Sequence, residues 1–250
     1  FSEFLLVMVV TNTDVPIHEG ASIILVEKGT PGMEILRNSA VGPYVEQGDG
    51  VHAYIRFTDC RVPADNLLGE EGKGFLVAQT RLGGGRVHHA MRSVAVLNKA
   101  MDMMCERVLS RTTKGEPLAN KQLTQEKIAD SYTQILQYRL HVLYTAWLID
   151  KYKEYNREVR KEIAAIKAAT PKILQEVIYR AMHLHGSLGM SDEVPLMTMW
   201  ANIPELGVVD GPSEVHKITV ARTVLRDYQP APGLFPTYHT PTQREAAMKK

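Results

Sequence analysis

The sequence predicts an α+β fold: a partial antiparallel β domain followed by an all-α four-helix bundle. Two observations carry this. Up to about residue 68 the apolar residues alternate or gather in short β-branched runs between turn signals. Beyond residue 74 they recur at steps of about 3.6 over stretches far longer than strands. The chain divides accordingly into residues 1–70, residues 71–228 and a tail, 229–250.

In the first unit, residues 5–10, 22–26 and 52–57 read as strands. Asn12-Thr13-Asp14, Gly29-Thr30-Pro31-Gly32 and Gly48-Asp49-Gly50 separate them, supplying side-chain turn bonds or glycines able to take positive φ. Gly69-Glu70-Glu71-Gly72-Lys73-Gly74 marks the change of period. The first helix then runs to about Arg111, with Val87, Ala90, Met91, Val94, Met101, Met104, Cys105 and Val108 at helical steps. A second is predicted over residues 122–152, burying Ile128, Tyr132, Ile135, Leu136, Leu143, Ala146 and Trp147. A charged corner, residues 151–161, separates it from a third over residues 157–184. Pro171 removes one backbone hydrogen bond there and should kink the helix, and Gly186 stops it. The fourth starts near Pro212, a residue suited to the first helical position, and ends near Tyr228. Four amphipathic stripes hide one another only as a bundle. The proline-containing tail should wrap over the surface or stay mobile.

Composition narrows the function classes. The 250 residues are 44% hydrophobic and 23% charged, and 29 basic against 28 acidic side chains leave a net charge of +1. That is an ordinary globular composition, without the field that nucleic acid or a membrane surface would call for. Cys60 and Cys105 have no metal-ligand spacing and are too few for a disulfide framework. No apolar run approaches the roughly 20 residues of a membrane-spanning helix, and Phe1-Ser2-Glu3-Phe4 lacks the basic flank of a signal peptide. A soluble intracellular location is expected. The non-methionine start, directly into strand-like sequence, suggests a fragment.

Four separated segments stand out: Val62-Pro63-Ala64-Asp65-Asn66-Leu67-Leu68-Gly69 with Gly72-Lys73-Gly74-Phe75; Arg111-Thr112-Thr113-Lys114-Gly115-Glu116-Pro117-Leu118 with Gln122; His183-Leu184-His185-Gly186-Ser187-Leu188-Gly189; and Val209-Asp210-Gly211-Pro212-Ser213-Glu214. In order and spacing they resemble the acyl-CoA dehydrogenase family, from the end of its middle β domain through its C-terminal helical domain. The resemblance implies FAD as cofactor, an acyl-CoA thioester as substrate, a homodimer or homotetramer, and electrons passed to an electron-transferring flavoprotein. It places such a chain in the cytoplasm of a bacterium, or in a mitochondrion or peroxisome of a eukaryote. An oxidase on the same scaffold, or a non-catalytic subunit or fragment, are the other readings.

By the same resemblance Arg111, Thr113 and Gln122 contact flavin, Arg111 reaching a neighbouring subunit's. His183, Gly186, Ser187 and Gly189 form the adenine-side turn, and Gly211, Ser213 and Glu214 complete the cofactor set. Residue chemistry suits this: a guanidinium pairs donors onto phosphate oxygens as lysine does not. It equally allows Arg111 to be a helix-end arginine on the macrodipole. Gly186 suffices to stop a helix, leaving Gly189 unexplained by termination.

Asp210 stands where the family has its catalytic carboxylate, most often glutamate, and would take the α-proton while flavin N5 accepts the β-hydride. The position some members use instead is Gly85 here, which has no side chain. The alternative is that Asp210 caps the helix after it. Arg86 matches an arginine beside the substrate and carboxylate loop, whereas Arg92 has no match and reads as solvated or interfacial. His88 and His89 point about 100° apart on a helix and make no simple two-histidine metal site. One could line an acyl pocket; satisfied core or surface histidines are the commoner use.

Overall fold

In the computed structural model, residues 2–40, 52–154 and 156–248 are described; the Gly48-Asp49-Gly50 turn lies outside them. The α+β class holds. Strand β1 (Phe4–Val10) pairs antiparallel with β2 (Ala21–Glu27) after a single helical turn, α1 (Ile17–Gly20). A separate two-stranded ribbon joins β3 (Met33–Ser39) to β4 (His52–Phe57). The sequence reading missed β3, because Glu34, Arg37 and Asn38 break its apolar alternation and the strand is mostly exposed. The short β5 (Leu67–Leu68) closes a sheet of order β1-β2-β5.

The junction to the bundle depends on missing side chains. A Cβ on Gly74 would come within 2.7 Å of the Ser22 backbone, and one on Gly72 (φ +76°) within 2.5 Å of the Glu19 carbonyl. The Gly72 amide instead donates to Ser22 Oγ at 2.9 Å. From there α2 (Gly74–Ser110) runs the length of the bundle. A hairpin, β6 (Thr112–Thr113) and β7 (Glu116–Pro117), turns through Lys114 and Gly115, both at positive φ, into α3 (Gln122–Tyr152). Helix α4 (Arg157–His185) follows, its first turn capped by the Asn156 side chain on the Val159 amide. It continues as one helix through Pro171.

Two short helices, α5 (Leu196–Ala201) and α6 (Ile203–Leu206), precede α7 (Ser213–Leu225), and α8 (Thr240–Met248) forms within the tail. The expected bundle helices are α2, α3, α4 and α7, with α2 packed along α4 and α3, and α4 along α7. Leu97, Ala100 and Met104 meet Ile166, Leu174, Val177, Ile178 and Ala181 in a core with no solvent exposure beyond traces. Among the described residues no helix is long and apolar enough to cross a membrane.

The buried face of α3 differs from the predicted one. Tyr132, Leu136, Leu143 and Trp147 are exposed, while Ser131, Ile135, Tyr138, Val142, Thr145 and Leu148 face the core. Hydrogen bonding makes the more polar stripe buriable. Ser131 and Thr145 return their hydroxyls to the carbonyls of Lys127 and His141. The Tyr138 hydroxyl lies 2.5 Å from Thr170 Oγ1, and burial pushes its phenol up to about 12. The larger apolar stripe is thereby left facing outward.

Candidate active site

The loop between α6 and α7 is closed by bonds around residues 206–213. The amides of Val208 and Val209 both donate to the Glu205 carbonyl at 2.9 Å, and the Ser213 amide to Gly207 at 3.0 Å. Lys167, with no exposure, donates from Nζ to the Leu206 carbonyl at 2.5 Å. Burial lowers the Lys167 pKa, Arg86 adds to the effect, and Asp210 opposes it. At the apex Asp210 and Gly211 take φ of +54° and +107°. Left-handed backbone at a non-glycine residue is uncommon and concentrates at functional positions. Gly211 has a second reason to be glycine, since a Cβ there would sit 3.0 Å from His216 Nε2.

Asp210 is held at both ends. Its carbonyl accepts from Arg86 Nε at 2.8 Å and from His216 Nε2 at 3.2 Å. Its carboxylate Oδ2 lies 3.1 Å from His89 Nε2, with the two side chains only 15% and 18% exposed. The space it occupies exists because residue 85 is glycine: a Cβ there would be 2.5 Å from Oδ2. Helix α7 has no side-chain cap, Pro212 occupying the capping position, so capping is not what Asp210 does. His89 and Arg92 are the residues sequence reasoning undervalued. An Arg92 Nη lies 3.0 Å from His89 Nδ1, and the signal was their placement four and seven residues after Gly85 on one helix.

Two grooves flank the loop. One, about 490 Å³, brings Lys73, Arg86 and Arg160 together with His216 over a partly apolar lining that includes Phe75, Leu76 and Ile163. The other, about 390 Å³, lies on the His89 and Arg92 side against α5 and α6. An apolar groove of about 530 Å³, with Leu76, Val87, Met91 and Ile163 among its lining, adjoins the first through Leu76, Gln79 and Ile163 and includes His88.

The His216 imidazole is held below its ordinary 6.5, first by burial and then by Arg86, against the pull of its bond to the Asp210 carbonyl. Between that lowered value and 6.5 the unfolded chain binds the extra proton and the folded chain does not. Stability must then fall as pH drops through about 6.5 and level off below the folded value. His216→Gln keeps an N–H donor without titrating. Its thermal midpoint should fall less than that of the unmodified protein between about pH 7.5 and 5.5; equal slopes would show that His216 does not carry this dependence.

The remaining candidates lie elsewhere. Arg111 follows the end of α2, about 39 Å along the helix from Gly85 at 1.5 Å per residue. Its side chain is exposed, as is that of Gln122, with Thr113 half-buried between them in sequence. His183, Gly186 and Ser187 are exposed at the end of α4. That end is tied to α2 by Arg107, an Nη of which lies 3.4 Å from the His185 carbonyl while its Nε is buried with no partner among the described residues. Gly186, at φ +66°, has open space where a Cβ would be; Gly189 does not, as a Cβ there would be 2.6 Å from the Met182 carbonyl. The second glycine of this turn is therefore accounted for by packing against α4. Ser213 is buried beside Asp210's loop and Glu214 is exposed in the first turn of α7.

The model of the "Acyl-CoA dehydrogenase, C-terminal domain" family matches residues 72–225. The chain belongs to the acyl-CoA dehydrogenase family. It is 41% identical over 223 residues, 89% of its length and 54% of the relative's, to the "Probable acyl-CoA dehydrogenase FadE2" of Mycobacterium tuberculosis. A solved structure from Mycobacterium abscessus, described as that of a candidate acyl-CoA dehydrogenase, is 37% identical with a TM-score of 0.83, covering 91% of this chain and 55% of that one. An electron transferring flavoprotein structure of Acidaminococcus fermentans aligns with a TM-score of 0.79 at 27% identity, over 90% of this chain and 57% of that one. This acyl-CoA dehydrogenase family chain thus spans about half the length of these relatives.

Proposed function

We propose that this chain contributes the catalytic base and the cofactor-binding bundle of an FAD-dependent acyl-CoA dehydrogenase, with residues 1–70 as part of the middle β domain, 71–228 as the C-terminal domain and 229–250 as its tail. The observation that carries the reading is the Asp210 carboxylate, held on left-handed backbone over the gap at Gly85 with its carbonyl fixed by Arg86 and His216. Asp210 takes the α-proton of the thioester, and its backbone amide polarises the thioester carbonyl as charge develops. Arg86 orients the loop, and the cationic groove it lines suits a phosphate-bearing substrate. When bound, FAD supplies the acceptor for the β-hydride at flavin N5.

The residues present fit that cofactor at two ends of the bundle. Gly211, Ser213 and Glu214 lie beside Asp210. Arg111, Thr113, Gln122, His183, Gly186 and Ser187, with Gly189 shaping the turn, lie at the far end, where the exposed Arg111, Gln122, His183 and Ser187 side chains are suited to phosphates and an adenine. A span of about 39 Å favours the far set serving a flavin whose ring lies in a neighbouring subunit. The outward stripe of Tyr132, Leu136, Leu140, Leu143 and Trp147 on α3 is the kind of patch a homo-oligomer covers.

The test is anaerobic mixing of the full-length flavoprotein with saturated acyl-CoA thioesters. Bleaching of the flavin, with turnover dependent on an electron-transferring flavoprotein, supports the proposal. Turnover sustained by oxygen alone makes it an oxidase, and absence of extractable FAD makes it a structural subunit. Arg111→Lys should lower FAD occupancy with little change in thermal midpoint, because lysine keeps the charge and loses the paired donor geometry. A lower midpoint at unchanged occupancy would leave Arg111 as a helix-end residue.

A further inference from the structure

We propose that His89 is the positioning residue of Asp210: its Nε2–H binds Oδ2, so that Oδ1 is the oxygen presented to the substrate's α-carbon. The inference rests on Asp210 being the base, and it adds what holds and orients that base.

Three observations on different atoms point the same way. Arginine has only N–H donors, so the 3.0 Å contact from Arg92 makes His89 Nδ1 the acceptor. The single proton of the neutral ring then sits on Nε2, which is 3.1 Å from Asp210 Oδ2. A doubly protonated ring would set an N–H against the Arg92 guanidinium. Burial, the largest influence, keeps the ring below its ordinary value, aided by Arg92, Lys167 and His88 and opposed by Asp210. Finally, a Cβ built on Gly85 would lie 2.5 Å from Oδ2 and 3.8 Å from Oδ1, so Oδ2 is tucked against α2 while Oδ1 turns away from it.

Sequence spacing explains how one helix does this. Gly85, His89 and Arg92 stand at i, i+4 and i+7 on α2, placing the gap, the donor and the donor's clamp along one face. The other titratable and charged groups around the loop bind elsewhere on it. From α2 and α7, Arg86 Nε and His216 Nε2 meet the Asp210 carbonyl, and from α4 Lys167 meets the Leu206 carbonyl. Direction of the carboxylate is thus set from α2, and position of the loop from α2, α4 and α7 together.

The full-length flavoprotein would be tested with His89→Leu and His89→Gln, using the saturated acyl-CoA that reduces the unmodified enzyme fastest. Leucine removes the donor; glutamine restores an N–H of similar reach. His89→Leu should slow flavin reduction about 10²-fold, as expected for a misplaced reacting group, with substrate affinity little changed. Its acid limb should move to higher pH, because a hydrogen bond to the charged form of the carboxylate is gone. His89→Gln should keep the limb where it was and recover most of the rate. Should His89→Leu fail to fold, imidazole nitrogen NMR of the unmodified protein decides: a proton on Nε2 with Nδ1 accepting supports the proposal, and a proton on Nδ1 overturns it. Unmoved acid limbs in both variants, or glutamine as slow as leucine, would also overturn it. Failure of the base assignment itself is told apart by Asp210→Asn, in which flavin reduction would persist without a carboxylate at position 210.

Discussion

Asp210→Asn should leave a folded, FAD-containing protein that binds acyl-CoA but reduces its flavin more slowly by about 10²–10⁴-fold, the usual contribution of a positioned base. The structure makes this substitution a clean one. Asparagine is among the few residues tolerant of left-handed backbone, so φ of +54° costs it little. His89 Nε2–H can donate to an amide oxygen as it does to the carboxylate, and α7 loses no cap because Asp210 does not provide one. The thermal midpoint should therefore stay close to that of the unmodified protein. Asp210→Glu retains a base but carries it one methylene further toward His89 or across Gly85, and its rate should fall between the two. If the asparagine variant bleaches its flavin at the unmodified rate in anaerobic stopped-flow, another group takes the proton.

The long helices were legible because periodicity over thirty or so residues has few alternative explanations. Which face each helix buries was less so. In α3 the sequence offers two apolar stripes, and the larger one faces outward. Only the hydrogen bonds of Ser131, Tyr138 and Thr145 reveal why the other can be buried, and two of those return to the helix's own backbone. Helices α5 and α6 are short and draw their order from neighbours, and strand β3 carries no apolar alternation to mark it, so local pattern does not encode them.

The site divides in the same way. Asp210, Gly211 and Arg86 were found through a linear motif. His89 and Arg92 were not: the Asp210 that His89 meets lies more than a hundred residues away, and without it the spacing of Gly85, His89 and Arg92 on one helix face has no evident purpose. Gly85 shows the converse: an absent side chain was seen in the sequence as an empty position. In the folded protein that emptiness is what the carboxylate occupies.

Gly85→Ala should therefore separate stability from catalysis. In the interior of α2, alanine is favoured over glycine by about 1 kcal/mol of helix propensity, so substitution ought to hold or raise the thermal midpoint. The added methyl, however, would stand 2.5 Å from Asp210 Oδ2, well inside contact distance. The backbone there belongs to a long packed helix and cannot retreat, whereas the aspartate side chain can rotate, so the carboxylate is what moves. Rotation breaks the 3.1 Å contact with His89 and displaces the base by roughly an ångström, a misplacement that costs on the order of 10²-fold. Flavin reduction by acyl-CoA should slow by about that factor, with FAD occupancy unchanged and the acid limb shifted as in His89→Leu. An alanine variant that is as stable as expected and as fast as the unmodified enzyme would show that the orientation of Asp210 over α2 is not the one used in turnover.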